Sequence, residues 1–256
     1  MNGGKEMETE MGMETEMESG PSAAAALLSI QVGQPREYGT EGAADPMDRP
    51  WETSFFKAPV EGPVWVGTTN VAGDAQADLR VHGGPDKAVM AYAAAHYPLW
   101  RGELGVEMPF GAFGENFTVA GQDEASVCVG DVYAVGGARL QVSQPRAPCW
   151  KIARRWRIRD LSARVQATGR TGWYLRVLEE GRVEAGMPIR LLERPHAEWS
   201  VARVTRTLFT RPFDREAMRA LAAYPELAPS TREWLLHRAD SGGESDEPRL
   251  GGPNQP

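Results

Sequence analysis

Short apolar or alternating runs, separated by Gly and Pro, occupy the chain from about residue 27 to 195, and they limit the folds open to it. The runs at 27–32, 132–135 and 189–192 have the length of strands and are too short for helices. Turn signals such as Gly130-Asp131 stand between them. Because many short strands at this spacing are typical of a β-barrel or β-sandwich, the sequence predicts a mainly β domain.

Helical patterns interrupt this region twice and then follow it. Residues 88–104 and 150–164 carry apolar residues at helical spacing. Beyond 197 the sequence predicts one helix at 198–209 and a second helix capped by Asp214. A capping box of Ser230 and Glu233 precedes a third. The sequence therefore predicts a small three-helix unit after the β domain.

The two ends of the chain have a different composition. Residues 1–24 repeat METEM and are rich in Glu, and residues 241–256 are rich in Gly, Pro, Ser and Asp. We expect both to be disordered, which leaves a β domain at 25–196 and a helical domain at 197–240. No apolar run of membrane length and no secretory signal is present, so a cytoplasmic location without membrane contact is expected.

Positive charge is concentrated in residues 146–170, which hold eight Lys and Arg residues against Asp160 alone. The overall net charge of −7 comes from the two acidic ends of the chain, so the remainder is neutral. The basic segment could attract a phosphate, a nucleic acid or an acidic partner. It could equally be a solvated helix paired with carboxylates from elsewhere in the chain.

Cys149 is the more reactive of two cysteines, of which Cys128 has the setting of a small buried strand residue. Without CxxC or HxxxH spacing, neither a disulfide framework nor a zinc site is predicted. Two prolines stiffen the backbone just before Cys149, and a predicted helix with several cations follows it. This setting favours a thiolate, which can act as a nucleophile or as a soft metal ligand.

Three further segments hold polar residues next to glycines. His82 precedes Gly83-Gly84 in a sharp turn, and Glu115 follows the Gly-rich run 110–114. Glu115 could be an acid/base group or a hydrogen-bond anchor, and the sequence favours the anchor. Arg170 and Thr171 could cradle a phosphate, although the segment lacks the P-loop pattern.

Taken in order, these segments resemble the YiiM-like branch of the MOSC domain family, which is related to the C-terminal part of molybdenum cofactor sulfurases. The similarity covers roughly residues 27–238. One departure is Met90, which stands where an aromatic residue is expected in the family, and we expect it to lie away from the site. The stretches that carry the resemblance are GDAQADLRVHGGPDKAV, FGAFGENFTV, VGDVYAVGGARLQVSQPRAPCWKI and TGRTGWYLRV.

The resemblance implies a mainly β, MOSC-type β-barrel followed by a small C-terminal three-helix domain. It also implies a molybdenum cofactor whose metal is held by the molybdopterin dithiolene and by the thiolate of Cys149. Cys149, His82 and Glu115 are the implied catalytic residues. The implied cofactor-binding residues are Lys57, Asn116, Arg146, Arg170 and Thr171.

The activity implied by the resemblance is an oxidoreductase that reduces N-hydroxylated compounds, including hydroxylaminopurine-type base analogues, as a detoxification reaction. Electrons would come from a separate flavoprotein reductase. A homodimer and pyridoxal phosphate binding are implied only at the level of the family.

Three other interpretations remain open at the level of the sequence. The first is a nucleic-acid-binding module on the alternating basic and aromatic residues of 150–159, although the neutral body and the absence of a nucleic-acid-reading motif speak against it. The second is a cofactor-binding or sulfur-carrier protein without reductase activity, in which Cys149 holds a persulfide. The third is a binding domain in which the thiol is inert.

Overall fold

The computed structural model describes residues 24–255, so the predicted acidic leader lies almost wholly outside the described residues. Within this range the chain forms twelve strands and eight α-helices, numbered in chain order. The strands are β1 Ala26–Val32, β2 Arg36–Tyr38, β3 Trp51–Thr53, β4 Ala58–Pro59, β5 Val64–Val66, β6 Val89–Ala93, β7 Phe117–Ala120, β8 Val132–Val135, β9 Ala138–Pro145, β10 Trp173–Glu179, β11 Gly181–Val183 and β12 Ile189–Glu193. The helices are α1 Leu79–His82, α2 His96–Leu104, α3 Trp150–Trp156, α4 Leu161–Thr168, α5 Val201–Phe209, α6 Arg215–Ala222, α7 Pro229–Ser241 and α8 Glu247–Leu250.

Eight strands form one large sheet in the order β12-β8-β9-β10-β6-β7-β1-β4. Neighbouring strands are antiparallel except β6 and β7, which are parallel. The sheet curls until β1 meets the start of β12: the amide of Leu27 donates to the carbonyl of Met187, and that of Ile189 to the carbonyl of Ala25, both at 2.9 Å. The prediction of a mainly β, barrel-type domain is confirmed.

The interior of the curled sheet is filled by apolar side chains from almost every strand, as the alternation in the sequence predicts. A second apolar cluster lies outside the sheet, between β6, α2, the loop at 108–113 and helices α3 and α4. The largest fully buried side chains within the two clusters are Leu27, Ile30, Phe117, Leu140, Trp173, Trp100, Tyr92, Tyr97, Met108, Phe113 and Ile152.

The predicted helix at 88–104 is wrong in its first half. Residues Val89–Ala93 form β6, which pairs with β10 on one side and with β7 on the other. All five of its residues are buried, because both faces of this strand are covered. A strand buried on both faces shows no alternation, so its apolar run could not be distinguished from a buried helix by periodicity.

The predicted helix at 150–164 is two helices. Arg157 ends α3 in the left-handed region, with φ of 56°, and its amide donates to the carbonyl of Arg154. Helix α4 then begins at Leu161. A non-glycine residue in this conformation is uncommon, and nothing in the local pattern of the sequence indicates it.

The three C-terminal helices are confirmed, although one of their caps is wrong. Ser200 caps α5 through the amide of Arg203 (3.2 Å), and Asp214 caps α6 through that of Ala217 (2.9 Å). Helix α7 begins earlier than the predicted capping box, at Pro229 with Ala228 as its N-cap. Proline at the first helical position needs no donor there, so it can begin the helix without a side-chain cap.

Helix α7 is attached to the end of β9. The amide of Ala228 donates to the carbonyl of Ser143 (2.9 Å), and the hydroxyl of Thr231 donates to Gln144 Oε1 (2.9 Å). The helical unit is therefore fastened to the strand that leads into the Cys149 turn.

Among residues 24–255 no helix combines the length and the apolar character that crossing a bilayer requires.

The expectation of disorder at 241–256 is wrong for the residues that the structure describes. Residues 247–250 form α8, and a short 3-10 helix follows at Gly252–Asn254. Asn254 is buried against α3, where its Oδ1 accepts from Arg154 Nε at 2.7 Å. The composition of the segment predicts disorder because it can bury little apolar surface. It is ordered by polar contacts with a distant part of the chain.

Candidate active site

Cys149 lies at the junction of the sheet and helix α3. Strand β9 ends at Pro145, and the amide of Arg146 donates to the carbonyl of Gly172 at 3.0 Å. Cys149 is the N-cap residue of α3, and its carbonyl accepts from the amide of Ile152 (3.1 Å) and from Ser162 Oγ (2.7 Å). The backbone on both sides of the thiol is therefore fixed, and the half-buried cysteine faces a hollow.

The hollow lies between the loops around residues 53–57, 74–77, 82–90, 113–116 and 146–151. It encloses about 650 Å³ of space, which includes its open mouth. Its lining combines cations, small polar side chains and aromatic rings. The lining side chains are Thr53, Ser54, Phe55, Lys57, Asp74, Gln76, His82, Lys87, Met90, Phe113, Asn116, Arg146, Cys149, Lys151 and Tyr174.

Positive charge predominates in this lining. Among the described residues, Lys57, Lys87, Arg146 and Lys151 face the hollow against one acidic side chain, Asp74. Asp74 is itself engaged in an ion pair with Lys57. The other cations are therefore left to attract an anion.

Arg146 has an unused donor within the hollow. The side chain is buried, and its Nη2 donates to the carbonyl of Phe113 at 3.2 Å. Its Nη1 is also buried and has no hydrogen-bond acceptor within residues 24–255. A buried guanidinium N–H without an acceptor is costly, and an anion in the hollow would satisfy it.

His82 stands in the same wall, at the end of the short helix α1. Burial, and then the charges of Lys151, Arg146 and Lys87, lower the pKa of His82 to about 4 from its ordinary value of 6.5. The imidazole is therefore neutral near pH 7 in the protein without a ligand. An anion bound in the hollow would offset these charges and make it easier for the ring to hold a proton.

This setting of His82 predicts a dependence of stability on pH. Because the folded state binds this proton less readily than the unfolded state, the contribution of His82 is complete above pH 6.5 and is lost as the pH falls toward 4. We expect the difference to reach about 3 kcal/mol. Chemical unfolding of ligand-free wild type and His82→Asn at several pH values measures it. A parallel decline in both proteins would contradict the prediction.

Glu115 does not reach the hollow, so its predicted catalytic role is not supported. The carboxylate is fully buried and accepts hydrogen bonds from the amides of Gly111 (2.7 Å) and Phe113 (3.1 Å), and from the hydroxyls of Thr118 (3.0 Å) and Tyr97. These bonds hold the loop that contains it in its tight turn. The alternative role that the sequence favoured, hydrogen-bond anchoring, describes this geometry.

Asn116 lines the hollow but is occupied by contacts within the protein. Its Nδ2 donates to Asp74 Oδ2 (2.9 Å) and to the carbonyl of Gln31 (3.2 Å), and its Oδ1 accepts from the amide of Met90 (3.1 Å). Asp74 also accepts from the amide of Gly33 (2.8 Å). Asn116 therefore holds Asp74, and through it Lys57, in place.

Arg170 and Thr171 are not among the residues that line the hollow. Arg170 pairs with Glu103 at 2.6 Å and stacks on the ring of Trp100, on the side of helix α2. Thr171 is fully buried. The neighbouring Gly172, with φ of 75°, accepts from the amide of Arg146, and a Cβ there would overlap the carbonyl of Ala91. This segment therefore holds the backbone of Arg146 in place through Gly172, and it does not form a phosphate site in the hollow.

Several residues that line the hollow are absent from the predicted site, among them Met90, two lysines and the aromatic residues Phe55, Phe113 and Tyr174. Met90 lines the hollow, so the expectation that it lies away from the site is wrong. Lys87 and Lys151 also line it. Lys87 lies five residues after His82, and Lys151 lies two residues after Cys149. Their closeness in sequence to these two predicted site residues could have indicated that they belong to the site.

The rest of the basic segment is largely paired within the protein. Arg157 and Arg159 form ion pairs with Asp48 and Asp45 in the loop before β3. Arg154 is buried, donates to the carbonyl of Pro46 (2.7 Å), and stacks on two tryptophans. This arrangement matches the alternative of a basic helix paired with groups elsewhere, and it leaves fewer free cations for a nucleic acid.

Comparison with known proteins agrees with this architecture. Residues 78–190 match the model of the MOSC domain, and residues 199–238 match that of the YiiM-like, 3-alpha helix domain. Protein YflK of Bacillus subtilis (strain 168) is 40% identical over 215 residues, which is 84% of this chain and 95% of YflK. The crystal structure of YiiM from Geobacillus stearothermophilus aligns with a TM-score of 0.70 at 36% identity, over 84% of this chain and 99% of that one.

A longer relative also matches. A protein named reductase, from Gibberella moniliformis (strain M3125 / FGSC 7600), is 40% identical over 189 residues, which is 72% of this chain but only 32% of that protein. The present chain thus corresponds to about a third of that reductase. Two consecutive domain matches in the expected order, and a relative similar over nearly its whole length, establish the family. The chain belongs to the YiiM-like branch of the MOSC domain family.

Proposed function

We propose that this protein is a molybdenum-cofactor-dependent reductase of N-hydroxylated compounds, with the thiolate of Cys149 as the protein ligand of the metal. The observation that carries the proposal is the shared hollow, which brings Cys149 together with the unsatisfied Nη1 of Arg146 and with Lys87 and Lys151. MOSC domains are associated at the family level with the molybdenum cofactor, and a longer relative is named a reductase.

The donor set of the hollow fits such a cofactor. Within residues 24–255 no group of three or more His, Cys, Asp or Glu side chains is arranged to hold a metal ion. A metal at Cys149 would therefore have to arrive with most of its ligands, as a dithiolene-bound metal does. Sulfur ligands suit a soft metal complex, and the surrounding cations suit its negative charge.

The chain offers a distinct role to each group of lining residues. Arg146, Lys87 and Lys151 would bind the anionic parts of the cofactor, with Arg146 supplying a rigid fork of donors. The aromatic rings of Phe55, Phe113 and Tyr174 would lie against its ring system. Asn116 and Asp74 would keep Lys57 in position, as they do in the structure.

When bound, the cofactor would supply the two electrons of the reduction. The overall reaction takes the N-hydroxyl compound, two electrons and two protons to the amine and water, so the N–O bond breaks and nitrogen gains a hydrogen. His82 would hold one of these protons once a bound anion offsets the neighbouring cations, and would deliver it to the departing group. We propose that a separate flavoprotein reductase supplies the electrons.

The proposal is tested with the wild-type chain made in two hosts. One host synthesises the molybdenum cofactor, and the other is an isogenic strain that cannot. We expect molybdenum in the first preparation alone, and reduction of a hydroxylamine compound by a low-potential chemical reductant in proportion to that molybdenum. Equal turnover in both preparations, or no molybdenum in either, would contradict the proposal.

The same preparations distinguish the sulfur-carrier alternative. A persulfide on Cys149 would not depend on cofactor synthesis, and cyanide would release its outer sulfur as thiocyanate from both preparations. We expect no such sulfur in the molybdenum-containing protein, because the thiolate would be bound to the metal.

A further inference from the structure

The C-terminal segment at 246–254 contacts the two residues that flank Cys149. Arg249 Nη1 donates to the carbonyl of Pro148, the residue before the cysteine. Asn254 Nδ2 donates to the carbonyl of Trp150, the residue after it, at 2.8 Å. The carbonyl of Cys149 itself is bound by α3 and α4, so three consecutive carbonyls at the thiol have partners. Two of these partners lie about a hundred residues further along the chain.

Asn254 is held so that its donor stays on Trp150. Its Oδ1 accepts from Arg154 Nε (2.7 Å), and the carbonyl of Pro253 accepts from Arg154 Nη2 (3.1 Å). Arg154 in turn stacks on the ring of Trp150, with its guanidinium carbon 4.7 Å from the ring centroid. Gly252 approaches the same ring so closely that a Cβ would overlap its Cγ and Cδ1. This close fit is made by glycine and by a buried amide, and it holds the start of α3.

Arg249 connects the Cys149 turn to the helical domain. Its guanidinium pairs with Asp246 (3.0 Å), donates to Gln166 Oε1 (2.5 Å), and stacks over the ring of Phe209 at the end of α5. Asp246 also pairs with the buried Arg238 of α7. The bond to Pro148 thus belongs to a network anchored in two helices and in α4, which makes it a fixed point for the turn.

We propose that Arg249 and Asn254 are positioning residues that clamp the Cys149 turn and keep the thiol facing the hollow. The clamp acts through the carbonyls of Pro148 and Trp150 and does not touch the thiol. Its consequence for metal binding rests on the proposed function, but its effect on the thiol does not. Loss of one hydrogen bond from such a network should raise local opening of the turn by about tenfold.

The test measures alkylation of Cys149 by an uncharged maleimide, in the full chain made without cofactor. Arg249→Met keeps the stem and loses the donors, and Asn254→Asp keeps the acceptor for Arg154 and loses the donor to Trp150. Both should be alkylated about tenfold faster than wild type. Arg249→Lys, which can still donate to Pro148, should stay near the wild-type rate. Gln255→Ala is the matched control, because Gln255 directly follows this segment and its side chain contacts Glu247 at the surface.

Cys128 reports any general loosening, because it is buried and its hydrogen bonds are made with Asp131 and Ala197, which are not part of the clamp. A wild-type rate at Cys149 in both Arg249→Met and Asn254→Asp would overturn the proposal, and so would an equal acceleration at Cys128. In chains from the cofactor-producing host, both variants should also lose molybdenum faster on dialysis. If wild type holds no molybdenum, the proposed function fails, and the alkylation rates still decide the clamp.

Discussion

Cys149→Ala is expected to lose molybdenum and turnover together, each by more than about 100-fold, because even groups that only support a metal ligand are worth 10- to 100-fold. The variant keeps the cations of the hollow but has no thiol in its lining, since the other cysteine lies elsewhere. Cys149→Ser should keep the shape of the site but hold the metal weakly, because a hydroxyl is a poorer ligand than a thiolate for a soft complex.

The matched control for Cys149 is Cys128→Ala. Cys128 is buried, where its thiol donates to the carbonyl of Ala197, and burial raises the pKa of this thiol. We expect this variant to retain both metal and activity. Elemental analysis and steady-state reduction of a hydroxylamine, made on the same preparations, provide the measurement. Molybdenum retained at the wild-type level in Cys149→Ala would refute the ligand assignment.

Glu115→Ala is expected to destabilise the protein by about 3–5 kcal/mol, the cost of removing one partner from a buried charged network. Four donors would lose the hydrogen bond that they make to Glu115: two amides and the hydroxyls of Thr118 and Tyr97. Burial holds the pKa of Tyr97 far above its ordinary value, so this hydroxyl keeps its proton and would point at a void. In a chain of this size the loss lowers the melting temperature by about 10 °C.

Calorimetry of wild type, Glu115→Ala and the surface control Glu107→Ala measures this effect. Glu107 is almost fully exposed, so its removal should change stability by less than about 0.5 kcal/mol. Turnover per folded molecule should survive in Glu115→Ala. An unchanged melting temperature with lost turnover would instead return Glu115 to a catalytic role.

In the structure, the cations of the basic segment at 146–170 do not form one surface. As a local pattern it is a continuous positive patch, yet its cations are divided among different surroundings. Arg146 and Lys151 face the hollow, Arg154 is buried under the C-terminal segment, and Arg170 lies against α2. The break at Arg157 produces part of this division, because it ends α3 before the last cations of the segment.

The sequence by itself determined the strand-rich body and the three helices that follow it, and it singled out Cys149 as the candidate thiol. These features depend on neighbours within a few residues: alternation, turn residues, caps, and the prolines before Cys149. The order of the motifs was equally available, and it indicated the family before any contact was known.

Only the tertiary structure decided which polar residues share the hollow. Glu115 and Asn116 are adjacent in sequence, yet one is enclosed by its own loop and the other lies in the wall, because successive residues turn to opposite sides as the loop enters β7. The strand Val89–Ala93 and the ordered C-terminal segment likewise depend on partners far along the chain. Long-range contacts of this kind determine which side chains are buried and which groups pair, so a pattern of neighbouring residues does not reveal them.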